Sequence, residues 1–405
     1  MKILWFVNIP FPEVSHFLGL KDVVRGGWLL KLADEIAAIE GNLLGIVWAC
    51  PKVNRIESFS SPNKTFYILP SRLSYKRSKP RAYWKEMSLC QLIIEEFQPD
   101  IIDVHGTENF YGLVGNITDG PVIITLQGLV NEIKKYYWGE LKFRQVIQYP
   151  AIIKDYYLFC KRCPIESEII NRNKYFIGRT TWDMSCIYAL KQSATYFSIG
   201  HTLRARFYQA QWDITSIRRH TIYCTSGIRT YKGIDILIKA VRIVRQKYPD
   251  VQLKVACEIE RNGFDKYLVR LIHDLNLKDS IILLGSLTEA QVVEELKKAH
   301  VYAMPSFIEN ECSSLSEALL VGVPSTAAYT GGVPSTIEDG KTCLMFPRGD
   351  YQVMAKNIMD IFNDDALAIH LSHNAREHAA ISYDPKGISK DVMNAYQNVY
   401  YSHRT

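Results

Sequence analysis

Two glutamates eight residues apart are the strongest chemical signal in this sequence. Glu309 stands in a loop after the apolar stretch 301–304, and Glu317 stands one turn inside a helix predicted to begin near Ser313 or Ser314. A helix N-terminus presents unpaired N–H groups and a partial positive charge, which suit an anion such as a diphosphate. Carboxylates beside it can accept hydrogen bonds from the hydroxyl groups of a sugar or a ribose. A capping box, in which Glu317 only satisfies the Ser314 amide, is the alternative.

Two cations precede a second predicted helix. Arg229 and Lys232 lie between the predicted strand His220–Cys224 and the predicted helix Gly233–Tyr248. Cations are disfavoured at a helix N-terminus, so a bound anion would account for Lys232 at this position. Ordinary solvated charges are the alternative.

Polar residues also end predicted strands in the first half of the chain. His105 ends the predicted strand Ile101–His105, and Gln127 follows the predicted strand Val122–Leu126. Ligands of open α/β sheets bind outside the carboxyl ends of the strands, which makes His105 a candidate for substrate contact. A lone histidine at a strand end is more often structural, and this alternative stays open.

The elements that must position these residues alternate between short apolar strands and longer amphipathic helices. Further strands are predicted at Ile3–Val7, Leu43–Trp48, Thr65–Leu69, Gln252–Cys257, Ile281–Leu284 and Val301–Met304. Further helices are predicted at Trp28–Ile39, Ser88–Phe97, Lys266–Leu275, Glu289–Ala299, Ser314–Val321 and Lys386–Tyr400. This alternation predicts the α/β class, with two doubly wound, Rossmann-like domains on parallel sheets.

The length of 405 residues, with 47% hydrophobic and 22% charged residues, fits two domains that each bury a core. We predict a first domain at 1–210, a second at 211–385 and a final helix at 386–405. Residues 130–180 fit the alternation poorly and are expected to form a helical insertion. A disordered or fibrous chain is excluded by this composition.

Charge and cysteine content limit the partners and the compartment. A net charge of +6 is too modest for a dedicated nucleic-acid binder. Nine scattered cysteines favour reduced thiols, and the pair Cys160 and Cys163 lacks the second pair that a zinc site would need. The N-terminal apolar run stops at Pro10 and no run approaches the roughly 18 residues of a membrane span. We therefore expect a cytoplasmic protein.

The block around Glu309 and Glu317 resembles the signature of the retaining family 4 glycosyltransferases, which have the GT-B fold. The residues that carry it are Pro305, Ser306, Glu309, Glu317, Ala318, Gly322 and Pro324. Similar matches are Arg25–Gly41, Gly227–Gly233, Thr330–Pro334 and Ile337–Gly340. Phe176–Asp183 and Thr202–Arg204 look like a bacterial surface-polysaccharide branch of this family. The resemblance implies two Rossmann-like domains facing a central cleft, with the last helix crossing back to the first domain.

The same resemblance implies an activity. A sugar would pass from a nucleotide-diphosphate donor, linked to UDP or GDP, to a hydroxyl of a saccharide or lipid-linked acceptor, with retention of the anomeric configuration. No Asp-x-Asp occurs, so a metal-bridged diphosphate is not expected. The resemblance implies no cofactor besides the nucleotide-sugar donor, which is a substrate. A nucleotide-sugar epimerase on the same fold, using His105, Asp103 or Glu108 as acid and base, is one alternative. A non-catalytic nucleotide-sugar-binding subunit is the other.

Roles in the second domain follow from the resemblance residue by residue. Glu309 is expected to hold the donor sugar and Glu317 the ribose. Lys232 is expected to bind the diphosphate. Arg229 is a second candidate, although the family has its arginine five residues before the lysine and Arg229 lies three before. The remaining predicted donor contacts are Ser313, Ser314 and Leu315 at the helix start, and Gly331 and Gly332.

Four further contacts are expected in the first domain. Gln127 stands where many family members have a histidine beside the reacting sugar, and it can still hydrogen-bond a sugar hydroxyl. His105 would contact substrate at a neighbouring strand end. Gly26 and Gly27 open the first long helix and would let the backbone approach a ligand closely, while a simple tight turn is the alternative.

Two segments combine basic and aromatic residues. Residues 72–85 hold six Lys or Arg and no acid, and residues 134–162 hold seven Lys or Arg, two acids and eight aromatics. Such surfaces suit an anionic membrane face that carries a lipid-linked acceptor. We therefore expect peripheral contact with the inner face of the plasma membrane, with a solvated loop as the alternative.

Overall fold

The computed structural model describes residues 1–20, 27–71, 77–257 and 263–404, which form two compact units. Unit 1 comprises Met1–Lys134, Leu158–Thr202 and Asp384–Thr405. Unit 2 comprises Lys135–Tyr157 and Leu203–Tyr383. Relative to the predicted domains, residues 135–157 and 203–210 group with the second unit and the described part of 386–405 groups with the first.

The described strands and helices alternate along most of the chain. The strands are Lys2–Phe6 (β1), Leu43–Ala49 (β2), Glu57–Ser61 (β3), Lys64–Leu69 (β4), Ile101–His105 (β5), Val122–Thr125 (β6), Tyr175–Gly178 (β7), Thr195–Ser198 (β8), Thr221–Thr225 (β9), Gln252–Ala256 (β10), Ile281–Gly285 (β11), Val301–Met304 (β12), Ser325–Tyr329 (β13) and Leu344–Pro347 (β14). The helices are Pro12–Phe17 (α1), Gly27–Ala37 (α2), Trp84–Phe97 (α3), Val130–Lys135 (α4), Phe143–Gln148 (α5), Pro150–Cys160 (α6), Cys163–Arg172 (α7), Thr181–Leu190 (α8), Ala205–Gln209 (α9), Ile234–Lys247 (α10), Phe264–Asp274 (α11), Glu289–Lys298 (α12), Ser313–Val321 (α13), Tyr351–Asn363 (α14), Asp365–Ser382 (α15) and Pro385–Arg404 (α16).

Unit 1 is built on an eight-stranded sheet in the order β3-β4-β2-β1-β5-β6-β7-β8. All its pairs are parallel except β3 with β4. Strand β1 shows why both faces are covered: Ile3 and Trp5 belong to one buried cluster, and Leu4 and Phe6 belong to another. Side chains of a strand alternate between faces, so a run that is apolar throughout must have a layer on each side.

Unit 2 is built on a six-stranded, fully parallel sheet in the order β11-β10-β9-β12-β13-β14. Parallel neighbours require crossover connections, which here contain helices α10 to α13. The order places β9, β12 and β13 side by side in the centre, so their carboxyl ends meet at one edge. The predicted α/β class with two doubly wound sheets is confirmed.

The predicted insertion at 130–180 is partly wrong. Helices α4 to α7 fill most of it, but Tyr175–Gly178 forms β7, which pairs with both β6 and β8. This strand has only four residues, all buried, and so short a run carries little periodicity. The segment is also divided between the units, since 135–157 belongs to unit 2 and 158–180 to unit 1.

Two sequence predictions on cysteines and membrane spans can be compared with the structure. All nine cysteines are free of disulfides, and seven of them are buried. Within the described ranges, no helix combines the length and apolarity that crossing a bilayer would need.

Candidate functional site

Three loops meet at the carboxyl edge of the unit 2 sheet, following β9, β12 and β13. The Phe307 N–H donates to the Tyr231 carbonyl at 2.8 Å, and the Gly332 N–H donates to the Glu309 carbonyl at 3.1 Å. The Thr330 hydroxyl donates to the Phe307 carbonyl at 2.6 Å. Strand β12 lies between β9 and β13, and the loop after it is therefore held by hydrogen bonds to the loops after both of these strands.

Lys232 and Glu309, assigned from the sequence to diphosphate and donor sugar, contact each other directly. Lys232 Nζ donates to Glu309 Oε1 at 2.6 Å, and the Ser306 hydroxyl donates to the same oxygen at 2.7 Å. Burial by itself would lower the pKa of Lys232, but the adjacent Glu309 carboxylate outweighs it, so that the pKa is raised. The ammonium group therefore stays charged and oriented at the sheet edge.

Two glycines permit this packing. Gly331 has φ of +50°, and a Cβ there would lie 2.0 Å from the Glu309 carbonyl oxygen. Gly233 has φ of +67°, and a Cβ there would lie 2.1 Å from the Pro305 carbonyl oxygen. Both positions combine a left-handed conformation with backbone contact, so only glycine fits without moving the loop.

The start of α13 differs from a capping box. The helix begins at Ser313, with Cys312 as its N-cap residue, so Ser314 is already inside the first turn. The Ser314 hydroxyl donates to the Thr225 carbonyl at 3.2 Å and contacts the Tyr302 hydroxyl at 2.9 Å. The side chain of Ser314 therefore ties the helix to the end of β9 and to β12, and the capping-box alternative is wrong.

Glu317 lies on α13 with Leu315, and its carboxylate is bound by an arginine that sequence reasoning did not single out. Arg204 Nε donates to Glu317 Oε1 at 2.6 Å, and Arg204 Nη2 donates to Glu317 Oε2 at 2.7 Å. The side chains of Arg204 and Glu317 are only 13% and 8% exposed. The stretch Thr202–Arg204 matched the family branch in sequence, but nothing local indicated this contact.

Arg229 makes a contact different from that of Lys232. Its Nη1 lies 3.2 Å from Asp155 Oδ2, and the Tyr137 hydroxyl donates to the same carboxylate oxygen at 2.5 Å. The Thr230 hydroxyl donates to the Tyr137 carbonyl. Segment 135–157 is thereby attached to the loop after β9, which the sequence pattern did not indicate.

A cavity of about 610 Å³ opens beside Gly331. Its other lining residues follow β13 and β14 or belong to them: Tyr329, Thr330, Asp339, Met345, Phe346, Pro347 and Arg348. The Arg348 guanidinium lies 4.1 Å from the centre of the Tyr136 ring. Open space therefore adjoins the loop that holds Glu309, on the β14 side of the sheet.

His105 of unit 1 is a buried ring, 1% exposed. It packs on Trp5 at 4.5 Å and on Trp28 at 6.1 Å between ring centres, and its Nε2 lies 3.7 Å from Asp103. Neither ring nitrogen has a hydrogen-bond partner among the described residues. Burial lowers the pKa of His105, with Asp103 opposing and Arg179 reinforcing the shift. The imidazole is therefore held neutral.

The other two groups considered for acid–base chemistry have structural partners. The Asp103 carboxylate accepts hydrogen bonds from the Tyr396 hydroxyl at 2.6 Å and the Thr125 hydroxyl at 2.7 Å. Glu108 accepts from Asn8 Nδ2 at 2.7 Å. These contacts favour structural roles and count against the epimerase alternative.

The remaining predicted contacts of unit 1 lie at element ends. Gln127 is half-buried in the loop after β6, and Gly27 is the first residue of α2. Gly26 lies outside the described residues. Their roles stay predictions.

Residues 217–378 match the profile of the family described as "Glycosyl transferases group 1". The matched region contains Lys232, Glu309 and Glu317. The chain therefore carries a glycosyl transferases group 1 domain. This domain holds the site that the three loops of unit 2 assemble.

Curated relatives of this glycosyltransferase domain match over part of their length. A D-inositol 3-phosphate glycosyltransferase of Corynebacterium urealyticum is 26% identical over 176 residues, which are 42% of this chain and 41% of the relative. A GDP-mannose-dependent alpha-(1-6)-phosphatidylinositol monomannoside mannosyltransferase of Mycolicibacterium smegmatis is 26% identical over 168 residues, 40% of this chain and 43% of the relative. The matched region thus spans about two fifths of these relatives.

Solved structures match over almost the whole chain. Sucrose-phosphate synthase from Thermosynechococcus elongatus covers 99% of both chains with a TM-score of 0.76 at 17% identity. Anabaena HepE in complex with UDP-glucose covers 98% of this chain and 100% of its own, with a TM-score of 0.70 at 16% identity. The fold is that of the GT-B glycosyltransferases.

Proposed function

We propose that this protein is a retaining glycosyltransferase of surface-polysaccharide biosynthesis. It would transfer a sugar from a UDP- or GDP-linked donor to a hydroxyl of a saccharide or lipid-linked acceptor. The observation that carries this proposal is the assembly of Lys232, Glu309 and Glu317 at one sheet edge within the matched domain. Relatives named as a D-inositol 3-phosphate glycosyltransferase and a GDP-mannose-dependent mannosyltransferase, and a neighbour in complex with UDP-glucose, support the nucleotide-sugar donor.

The chemistry needs positioning and charge stabilisation more than a protein nucleophile. The bond from the anomeric carbon to the diphosphate breaks as the acceptor oxygen attacks the same face, and the departing phosphate oxygen takes the acceptor's proton. Lys232 and the N-terminus of α13 stabilise the negative charge that develops on the diphosphate. Glu309 orients the donor sugar through its hydroxyls, and Glu317 orients the ribose. No metal or cofactor enters this scheme.

Two substitutions test the assignment. Lys232→Ala and Glu317→Gln should each lower transfer from UDP- or GDP-sugars by roughly 100-fold or more, while circular dichroism shows an intact fold. Lys239→Ala is the matched control, because Lys239 is a partly exposed lysine on α10 that pairs loosely with Glu140 at 3.6 Å. Full activity in both test variants would refute the proposal.

The two alternatives give different results with donor alone. An epimerase would convert the sugar of the nucleotide donor without any acceptor. A non-catalytic subunit would bind the donor tightly and turn over none of the acceptors offered. A transferase makes product only when donor and acceptor are both present.

For localisation, we propose that the protein is cytoplasmic and contacts the inner membrane face through α5 and α6. Phe143 is 78% and Tyr157 61% exposed, and Ile147 and Ile153 are exposed as well. Residues four apart share a helix face, so each helix presents an apolar pair to solvent. Exposed basic residues flank these pairs at Lys142, Arg144 and Lys154. Apolar insertion beside positive charge is the arrangement that binds anionic lipid.

The other basic segment offers less surface than expected. Residues 72–76 lie outside the described residues. Arg77 pairs with Glu86 at 2.7 Å, and Tyr83, one of the aromatic residues of this segment, is only 4% exposed and therefore does not belong to the surface. Trp84 is exposed, with Lys85 over its ring at 5.6 Å.

Vesicle sedimentation tests the membrane proposal. The wild type should bind vesicles of phosphatidylglycerol more strongly than vesicles of phosphatidylcholine. The double variant Phe143→Glu/Tyr157→Glu should lose this binding, whereas Ile381→Glu, at an equally exposed apolar position of α15, should keep it. Binding that is indifferent to lipid charge, or to the double substitution, would contradict the proposal.

A further inference from the structure

We propose that Arg204 is a positioning residue for the ribose of the nucleotide, acting through Glu317. It holds the carboxylate in one orientation so that the remaining lone pairs accept the ribose hydroxyls. The inference rests on the proposed function, because it takes Glu317 as the group that holds the ribose. It adds a residue 113 positions earlier in the chain, outside the matched family region.

The contact is bidentate, with one guanidinium nitrogen on each carboxylate oxygen, at 2.6 and 2.7 Å. A planar fork against a planar carboxylate fixes both the position and the rotation of the acceptor group. An ionised carboxylate has about four acceptor sites, so a bidentate arginine leaves about two open. Two acceptor sites match the two neighbouring hydroxyls of a ribose.

Arg204 is itself held in place. It is the N-cap residue of α9, and its guanidinium lies 4.5 Å from the centre of the Phe207 ring one turn later. The backbone on either side is also bound, since the Leu203 N–H donates to the Tyr208 hydroxyl at 2.9 Å and the Arg206 N–H donates to Glu289 at 3.0 Å. The guanidinium group of Arg204 is therefore oriented by contacts within the protein itself.

The charges around Glu317 show what Arg204 must offset. Burial raises the pKa of the Glu317 carboxyl, and Glu289 of α12 acts in the same direction, while Arg204 opposes both. Tyr223 of β9 stays neutral, because burial raises its pKa. Arg376 of α15 donates to the carbonyl oxygens of Ala210 and Leu320 instead. Without Arg204, the buried carboxyl would take up a proton more readily and would lose acceptor sites.

Nucleotide discrimination gives a direct test. Calorimetry would compare UDP with 2′-deoxy-UDP, and GDP with 2′-deoxy-GDP, on the wild type and on Arg204→Gln, Arg204→Lys and Glu317→Gln. Loss of a hydrogen bond to a charged group lowers affinity by about tenfold or more, so the wild type should prefer its ribonucleotide by that factor. Arg204→Gln should reduce the preference to roughly twofold, as should Glu317→Gln. Arg204→Lys keeps the positive charge but cannot make the planar two-nitrogen contact. Its preference for the ribonucleotide should therefore lie between those of the wild type and Arg204→Gln.

The pH profile separates positioning from a general structural role. The ratio of ribonucleotide to 2′-deoxynucleotide affinity is measured against pH, because the diphosphate titrates equally in both ligands. As pH falls, this ratio should be lost at a higher pH in Arg204→Gln than in the wild type, because Glu317 takes up a proton more readily without Arg204. Arg206→Gln, an exposed arginine of the same helix, is the control and should match the wild type.

The outcomes that overturn the inference are distinct from those that overturn the function. The inference is wrong if Arg204→Lys and a folded Arg204→Gln both keep the wild-type preference for the ribonucleotide over its 2′-deoxy analogue. It is also wrong if either variant binds the ribonucleotide more tightly than the wild type does. Failure of the wild type to bind any of the four nucleotides would instead refute the proposed function.

Discussion

Lys232 and Glu309 stand 77 residues apart in sequence, and their side chains meet at 2.6 Å. The contact joins the loop after β9 to the loop after β12, two strands that are neighbours in the sheet. Glu309 is thus the counter-ion of an ammonium group at a position where cations are otherwise disfavoured. A diphosphate would compete with Glu309 for that ammonium.

Glu309→Gln should separate binding from chemistry. If the diphosphate competes with Glu309 for Lys232, removal of the carboxylate charge should leave UDP or GDP affinity unchanged or improved. Transfer should still fall by roughly 100-fold, because the donor sugar loses its orienting acceptor. Calorimetry and initial rates measure the two effects, and Glu338→Gln at an exposed position is the control. A large loss of nucleotide affinity would contradict the competition.

Gly331→Ala should destabilise the protein by at least about 3 kcal/mol, since left-handed strain adds to a clash with the Glu309 carbonyl. Gly340→Ala is matched to it, because Gly340 has φ of +73° and open space around its Cβ position. This control should lose only about 1–2 kcal/mol. Urea unfolding measures the free energy of unfolding of both variants. Equal losses would show that the loops can move apart to accept the added methyl group beside the Glu309 carbonyl.

Tyr396→Phe should lower the free energy of unfolding by about 3 kcal/mol. The Tyr396 hydroxyl donates to the buried Asp103 carboxylate at 2.6 Å and accepts from Trp5 Nε1 at 2.9 Å. Its removal leaves a buried charge and an indole N–H short of partners. Tyr401→Phe, on an exposed position of the same helix, should unfold like the wild type. If Tyr396→Phe left the free energy of unfolding almost unchanged, α16 would be held by apolar packing alone.

His300 should make stability depend on pH. Its ring is fully buried and stacked on Phe362 at 4.7 Å, and burial, reinforced by Arg219, lowers its pKa to about 4. Between about pH 6.5 and pH 4, the unfolded chain binds this proton and the folded chain does not, so stability falls as pH falls. The loss attributable to His300 is about 3 kcal/mol across that window.

His300→Gln should flatten this slope, and chemical denaturation at a series of pH values measures it. His373→Gln, at an exposed histidine of α15, is the control and should leave the slope unchanged. An identical slope in His300→Gln and the wild type would assign the pH dependence to other groups.

Local sequence alone was enough to predict nine of the fourteen described strands, helices α10 to α13 and the two-glutamate block. Strand β12, the loop that holds Glu309 and the helix that holds Glu317 are consecutive, and each is specified by residues within one or two turns. Apolar runs of four to seven residues and helical spacing are short-range patterns, so the alternation of strands and helices could be predicted without knowing which strands pair. The strands β3, β7, β8, β13 and β14 were not predicted from these patterns.

The partners of the site residues were decided only by tertiary structure. Glu317 is bound by Arg204 and not by the Ser314 amide, and Arg229 contacts Asp155 of a segment that had looked like a separate insertion. His105, a candidate from its place at a strand end, is enclosed by two tryptophans. Sequence by itself determined which groups stand at strand ends and helix starts. Strand order and crossover connections then determined which distant groups meet, because these contacts link residues 74 to 113 positions apart.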